Sequence, residues 1–159
     1  MHRDRKACAR VPPGTAAARG SKRRSLSRTM TVMQDLQEFV DHYVAELSGP
    51  NAFSARHSLI EAGVSALPLV VEAFQASTDP QVRLSLVQLV SEYRSDSAVS
   101  FLVACLSDRR PEIWHSALDG LVILGGVNAL DALRGAYSIA PREQRRAIDE
   151  AMQQVMNDI

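Results

Sequence analysis

The side chains able to do chemistry are few and poorly spaced for it. Besides His2, histidines stand at His42, His57 and His115, with cysteines at Cys8 and Cys105. A metal centre needs several His, Cys, Asp or Glu at matched spacing, and no HxxxH, HExxH or paired-cysteine pattern occurs. The histidines therefore read as solvated or hydrogen-bonded. Cys105, beside Leu102 and Leu106 in an apolar run, reads as a buried, inert thiol. Gly120, Gly125 and Gly126 bracket a helix end, where glycine supplies a left-handed cap, and they form no phosphate loop. Carboxylates are abundant, but no spacing suggests an acid and base pair. No metal, cofactor or catalytic residue is expected, and an enzyme is not the favoured class.

One short stretch stands out as a surface. Trp114, the single tryptophan, follows closely on Arg109 and Arg110. Tryptophan and arginine are favoured where proteins bind one another. The competing expectation is that the indole packs against the preceding part of the chain.

Two parts of the chain differ sharply in charge. Residues 1–29 hold nine Lys or Arg against one Asp, a net +8, while residues 30–159 hold nine Arg, no Lys and seventeen Asp or Glu, a net −8. The first part, with few large apolar residues and many turn formers, is expected to be a disordered basic tail. Lys22-Arg23-Arg24 suits a nucleic acid or acidic lipid, and the Arg, Ser and Ala content suits a transit peptide. The favoured reading is instead a start of translation at Met30 or Met33, or a non-native or neutral leader, because the folded pattern begins abruptly at Thr31. No run approaches the roughly 18 apolar residues of a membrane span, and no secretory apolar core stands at the N-terminus. A reducing, cytoplasmic setting is the expectation.

From Thr31 the pattern becomes helical. Leu36, Phe39, Val40, Tyr43, Val44 and Leu47 fall on one stripe, Thr31 and Gln34 match a capping box, and Gly49-Pro50 supplies a stop. These predict a helix over 31–48. Prolines then follow at Pro50, Pro80, Pro111 and Pro141, separated by 30, 31 and 30 residues. Proline fits the first turn of a helix, and a fixed spacing near 30 marks a helical repeat. Between them, S-A-L-P-L-V-V-E-A-F from Ser65, S-A-V-S-F-L-V-A-C-L from Ser97 and N-A-L-D-A-L-R-G-A-Y from Asn128 align at offsets of 32 and 31 without gaps. Ser65, Ser97 and Asn128 are the expected N-caps. Columns such as Val70/Leu102/Leu133 and Phe74/Leu106/Tyr137 are apolar each time. Units of about 50–78, 79–109, 110–140 and 141–159 are predicted in a domain spanning 30–159, the last unit lacking a second helix.

D-P-Q-V-R-L-S-L-V-Q-L from Asp79, R-P-E-I-W-H-S-A-L-D-G-L-V-I-L-G from Arg110 and N-A-L-D-A-L from Asn128 resemble HEAT repeats of the short bacterial, phycobilisome-lyase type. The resemblance covers about 50–159. It implies an all-α fold: a short right-handed α-solenoid of about eight helices in stacked pairs, second helices on the concave side, residues 141–159 capping the stack. Pro68, Glu72, Gln75, Ser100, Asp131 and Arg134 are expected on that concave side. In the family's arginine column stand Arg56 and Arg83, then Trp114, so Arg56, Arg83, Arg109, Arg110 and Trp114 are the candidate partner contacts. The fold implies a non-catalytic scaffold for a protein partner, and the −8 body favours a basic one. It makes nucleic acid a poor ligand for the body. Left open are a bilin lyase-like or other HEAT-repeat enzyme, and a small subunit docking through the open edge of the stack.

Overall fold

A computed structural model describes residues 19–159, with side chains from 29 onward. Among the described residues there are eight α-helices and no strand. The chain divides into two units, residues 1–35 and 36–159. Helix α1, Arg19–Glu46, crosses that boundary.

Helix α1 begins twelve residues before Thr31, so the expected capping box at Thr31 and Gln34 lies inside a helix. A threonine caps only where the chain before it leaves the helix. The preceding stretch from Arg19 contains Lys, Arg and Leu, all good helix formers, and the last proline before it is Pro13. The expected disordered tail therefore overlaps α1 over residues 19–29. Its remainder, residues 1–18 with Cys8, lies outside the described residues.

The second unit is a stack of helix pairs. Helices α2 (Ala52–Glu61), α4 (Pro80–Glu92), α6 (Pro111–Leu124) and α8 (Arg142–Asp158) pack side by side as one layer. Helices α3 (Leu67–Ala76), α5 (Val99–Cys105) and α7 (Gly126–Ile139) supply the second, with α5 against α7. Pro80 and Pro111 each occupy the first helical position, as their spacing predicts. Asp79 caps α4 by accepting from the Gln81 and Val82 N–H groups.

The predicted columns enter the core except at Tyr137, which stays 39% exposed. Leu59, Leu86, Leu102, Leu121 and Leu133 are fully buried, with Val40 of α1 and Leu47, just past its end, in the same cluster. Charged and amide residues of α8, including Arg146, Asp149, Glu150 and Gln153, stay exposed while Ile148, Ala151 and Val155 face the core. Burying a leucine of this kind contributes roughly 1.5–3 kcal/mol, and the two-layer stack buries apolar side chains from each helix of the second unit.

Two details differ from expectation. Ser65 and Ser97 lie within short 3-10 turns, Val64–Ala66 and Asp96–Ala98, that precede α3 and α5. Asn128 lies inside the first turn of α7, and its amide donates to Asp96 Oδ2 at 2.7 Å. Gly120 is not a cap either. It sits inside α6, where a Cβ would run into the Ser91 hydroxyl and both methyl groups of Leu102. Gly125 does end α6, with φ at +63°.

Candidate partner-binding site

Arginines of the repeat column are committed to holding the stack. Arg83 lies in the first turn of α4 and its side chain is 17% exposed. The guanidinium donates to the Phe74 carbonyl at 2.9 Å, near the C-terminal end of α3, and to Asp108 Oδ2 at 3.0 Å. It also lies 3.8 Å from the centre of the Phe74 ring. Carbonyls at a helix C-terminus lack helical partners and attract a cation, so Arg83 caps α3 from outside while reaching the turn before α6. Arg56 makes a lighter tie between α2 and α4, donating to Gln88 at 3.3 Å and standing 3.6 Å from Glu92.

Asp108 receives a second bond, from the Arg110 backbone N–H to Oδ1 at 2.9 Å. Burial works to raise its carboxyl, but the Arg110 N–H, the Arg83 hydrogen bond and the charges of both arginines outweigh it and hold the carboxyl below its ordinary value. Nearby, burial first and the Asp108 charge second push the Cys105 thiol up to about 12, against the opposing pull of Arg83. The thiol is buried, in the setting its apolar neighbours indicate.

The fourth unit repeats the arginine device where sequence reading passed over it. Arg145, 31 residues after Trp114, donates to the Ala140 carbonyl at 3.0 Å and stands 5.8 Å from the Tyr137 ring. Arg83 pairs with the ring of Phe74 and Arg145 with that of Tyr137. In the unit where the arginine becomes Trp114, the ring column holds Leu106 instead. The signal was present as a paired change in two columns, but it is visible only once the two columns are known to touch.

Trp114 itself is half-buried and packs against the core, its ring 3.7 Å from that of His115. Its backbone N–H donates to the Arg110 carbonyl at 3.3 Å, an ordinary first-turn bond. Arg109 is exposed and Arg110 is half-buried. His42 and His57 stand 3.8 and 3.5 Å from Glu46 and Glu61, one turn on along their own helices. Among the described residues no group of three or more His, Cys, Asp or Glu is placed to hold a metal ion.

The open feature lies on the other layer. A groove of about 880 Å³ runs between α5 and α7 and meets the start of α8. Val103, Ala104, Ala132, Gly135 and Ile139 make much of it apolar, and Asp96, Asn128 and Gln144 supply polar edges. Its origin is a loss of side-chain volume along the stack. One column reads Leu69, Phe101, Ala132 and another Glu72, Ala104, Gly135. Between α3 and α5 the rings of Phe74 and Phe101 meet edge to face at 5.1 Å. At α7 the corresponding alanine and glycine leave space. Of the residues expected on this face, Ser100 lines the groove. Asp131 and Arg134 instead pair with each other at 3.0 Å.

A family model described as HEAT repeats matches residues 67–153. The chain belongs to the HEAT-repeat family. The matched span takes in α3 through α7 and α8 as far as residue 153, hence Arg83, Trp114, Arg145 and the groove. The architecture is accordingly an all-α solenoid, and HEAT repeats generally mediate protein–protein interaction. No curated protein matches the sequence. No single described helix is long and apolar enough to cross a membrane.

Proposed function

We propose that this HEAT-repeat protein is a non-catalytic protein-binding module whose partner is basic. The observation carrying it is the apolar groove on α5 and α7, left open in a stack whose other second-layer contact is filled by Phe74 and Phe101. A preorganised helical surface binds with little ordering cost. The −8 of residues 30–159 steers positively charged proteins toward it. Trp114 with Arg109 and Arg110 is a second, smaller contact region. The exposed charged and amide face of α8 favours a capped end over docking through that edge.

Affinity capture from the native host, followed by calorimetry on the purified pair, tests this function. A one-to-one complex that weakens as salt rises supports it. Capture of nothing above an unrelated solenoid control removes protein binding, and salt-independent affinity removes the basic partner. An absorbance change on mixing with a linear tetrapyrrole would instead favour the lyase-like alternative.

A further inference from the structure

We infer that the groove between α5 and α7 takes one amphipathic helix from the partner, aliphatic along one face and bearing a Lys or Arg where it meets Asp96. This rests on the protein-binding function above and names the form of the ligand. Three observations select it. First, among the described residues nothing covers the groove: Ser100, Ala104, Ser107, Asn128, Gly135 and Ile139 line it and all are exposed, Ile139 by 82%. Small-molecule sites enclose most of their ligand, and this one would leave a small ligand largely in water. A helix lying along α7 covers the whole floor.

Second, an extended peptide entering an apolar groove buries backbone N–H and C=O groups that need partners. Of the polar side chains on the lining, Asn128 already donates to Asp96 at 2.7 Å, and Ser100, Ser107 and Gln144 are too few to pair the backbone of an extended segment running the length of the groove. A helix satisfies its own backbone. The alanine and glycine floor also lets it approach to the roughly 8–10 Å interaxial spacing of packed helices. The fourteen residues of α7 span about 21 Å, which matches a ligand helix of similar length.

Third, the lining holds a single formal charge, that of Asp96 at one end. With the body at −8, a cationic residue on the ligand is complementary there and an acidic one is repelled. Aliphatic spacing at i, i+3, i+4 and i+7 provides the affinity and the basic residue sets the direction.

Selection of displayed random peptides of about 16 residues against the full chain tests this, with anisotropy measurements on individual synthetic peptides. The expected peptides show helical aliphatic spacing with one Lys or Arg and gain helical circular dichroism on binding. Gly135→Leu and Ala132→Phe, which fill the groove from exposed or half-exposed positions, should each weaken them more than tenfold while melting at or above the parent temperature. Asp96→Asn should erase the preference for Lys over Gln in the peptide. Equal binding to both filled variants overturns the groove and leaves protein binding standing. Peptides without helical spacing overturn the helix. Failure to enrich any peptide over an unrelated protein overturns this inference, while the capture experiment above decides separately whether a protein is bound at all.

Discussion

Arg83 and Asp108 meet at 3.0 Å, each with a side chain 17% exposed, and their contact ties the start of α4 to a turn 25 residues further along the chain. The same guanidinium holds the Phe74 carbonyl at 2.9 Å, so the end of α3, the start of α4 and the turn before α6 share one cation. Arg83→Ala strands the Asp108 carboxylate and the α3 carbonyl together. It should cost about 2–3 kcal/mol in urea unfolding, whereas exposed Arg109→Ala should stay within about 0.5 kcal/mol. Equal effects of the two substitutions would show that the Arg83 contacts contribute nothing.

The acid sensitivity of the fold should follow Asp108. Its folded carboxyl lies below the ordinary value of 3.8 because the Arg110 N–H and the Arg83 bond and charge outweigh its burial. A depressed carboxyl contributes stability that is complete above the unfolded value and is lost as pH falls through the folded one. Asp108→Asn should therefore be less stable than the parent at neutral pH and show a flatter decline below pH 3.8. Parallel profiles in that window would exclude this source.

Alanine should have opposite effects at two glycines. A Cβ on Gly120 meets the Ser91 hydroxyl, itself buried and bonded to the Val87 carbonyl at 3.2 Å, while a Cβ on Gly135 meets nothing within 4 Å. Gly120→Ala should destabilise by about 2 kcal/mol through overpacking between α4 and α6. Gly135→Ala should stabilise by roughly 0.5–1 kcal/mol by reducing the freedom of the unfolded helix position. Adding Ser91→Ala to Gly120→Ala should recover part of the loss, because it removes the atom in the way. Thermal melts of the three variants check both signs.

Cys105 should be inert. In a Cys8→Ser background a disulfide reagent at pH 8 should label the native protein only as fast as it unfolds, and label the urea-unfolded chain at once. Burial and the Asp108 charge raise the thiol from 9.0 to about 12, so almost no thiolate forms at that pH. The raised value also means that its contribution to stability is present below 9.0 and is lost as pH climbs toward 12. Rapid labelling of the native chain would contradict the burial.

Repetition made the fold legible. The prolines at intervals of 30 and 31, with Leu102 and Leu133 in one aliphatic column, determine helices and their pairing, because helical periodicity and first-turn proline are local properties of the chain. The core positions follow from the same columns. The start of α1 was less legible, since Thr31 has the chemistry of a cap but sits among residues that continue a helix just as well. What Arg83, Gly120 and the groove do was decided only by tertiary structure. Arg83 meets its ion-pair partner 25 residues away, and Gly120 is required by a serine 29 residues before it on another helix. The groove is the volume that Ala132 and Gly135 do not fill. A sequence records which atoms are missing, but their absence becomes a surface only when α5 and α7 stand at a set distance from each other.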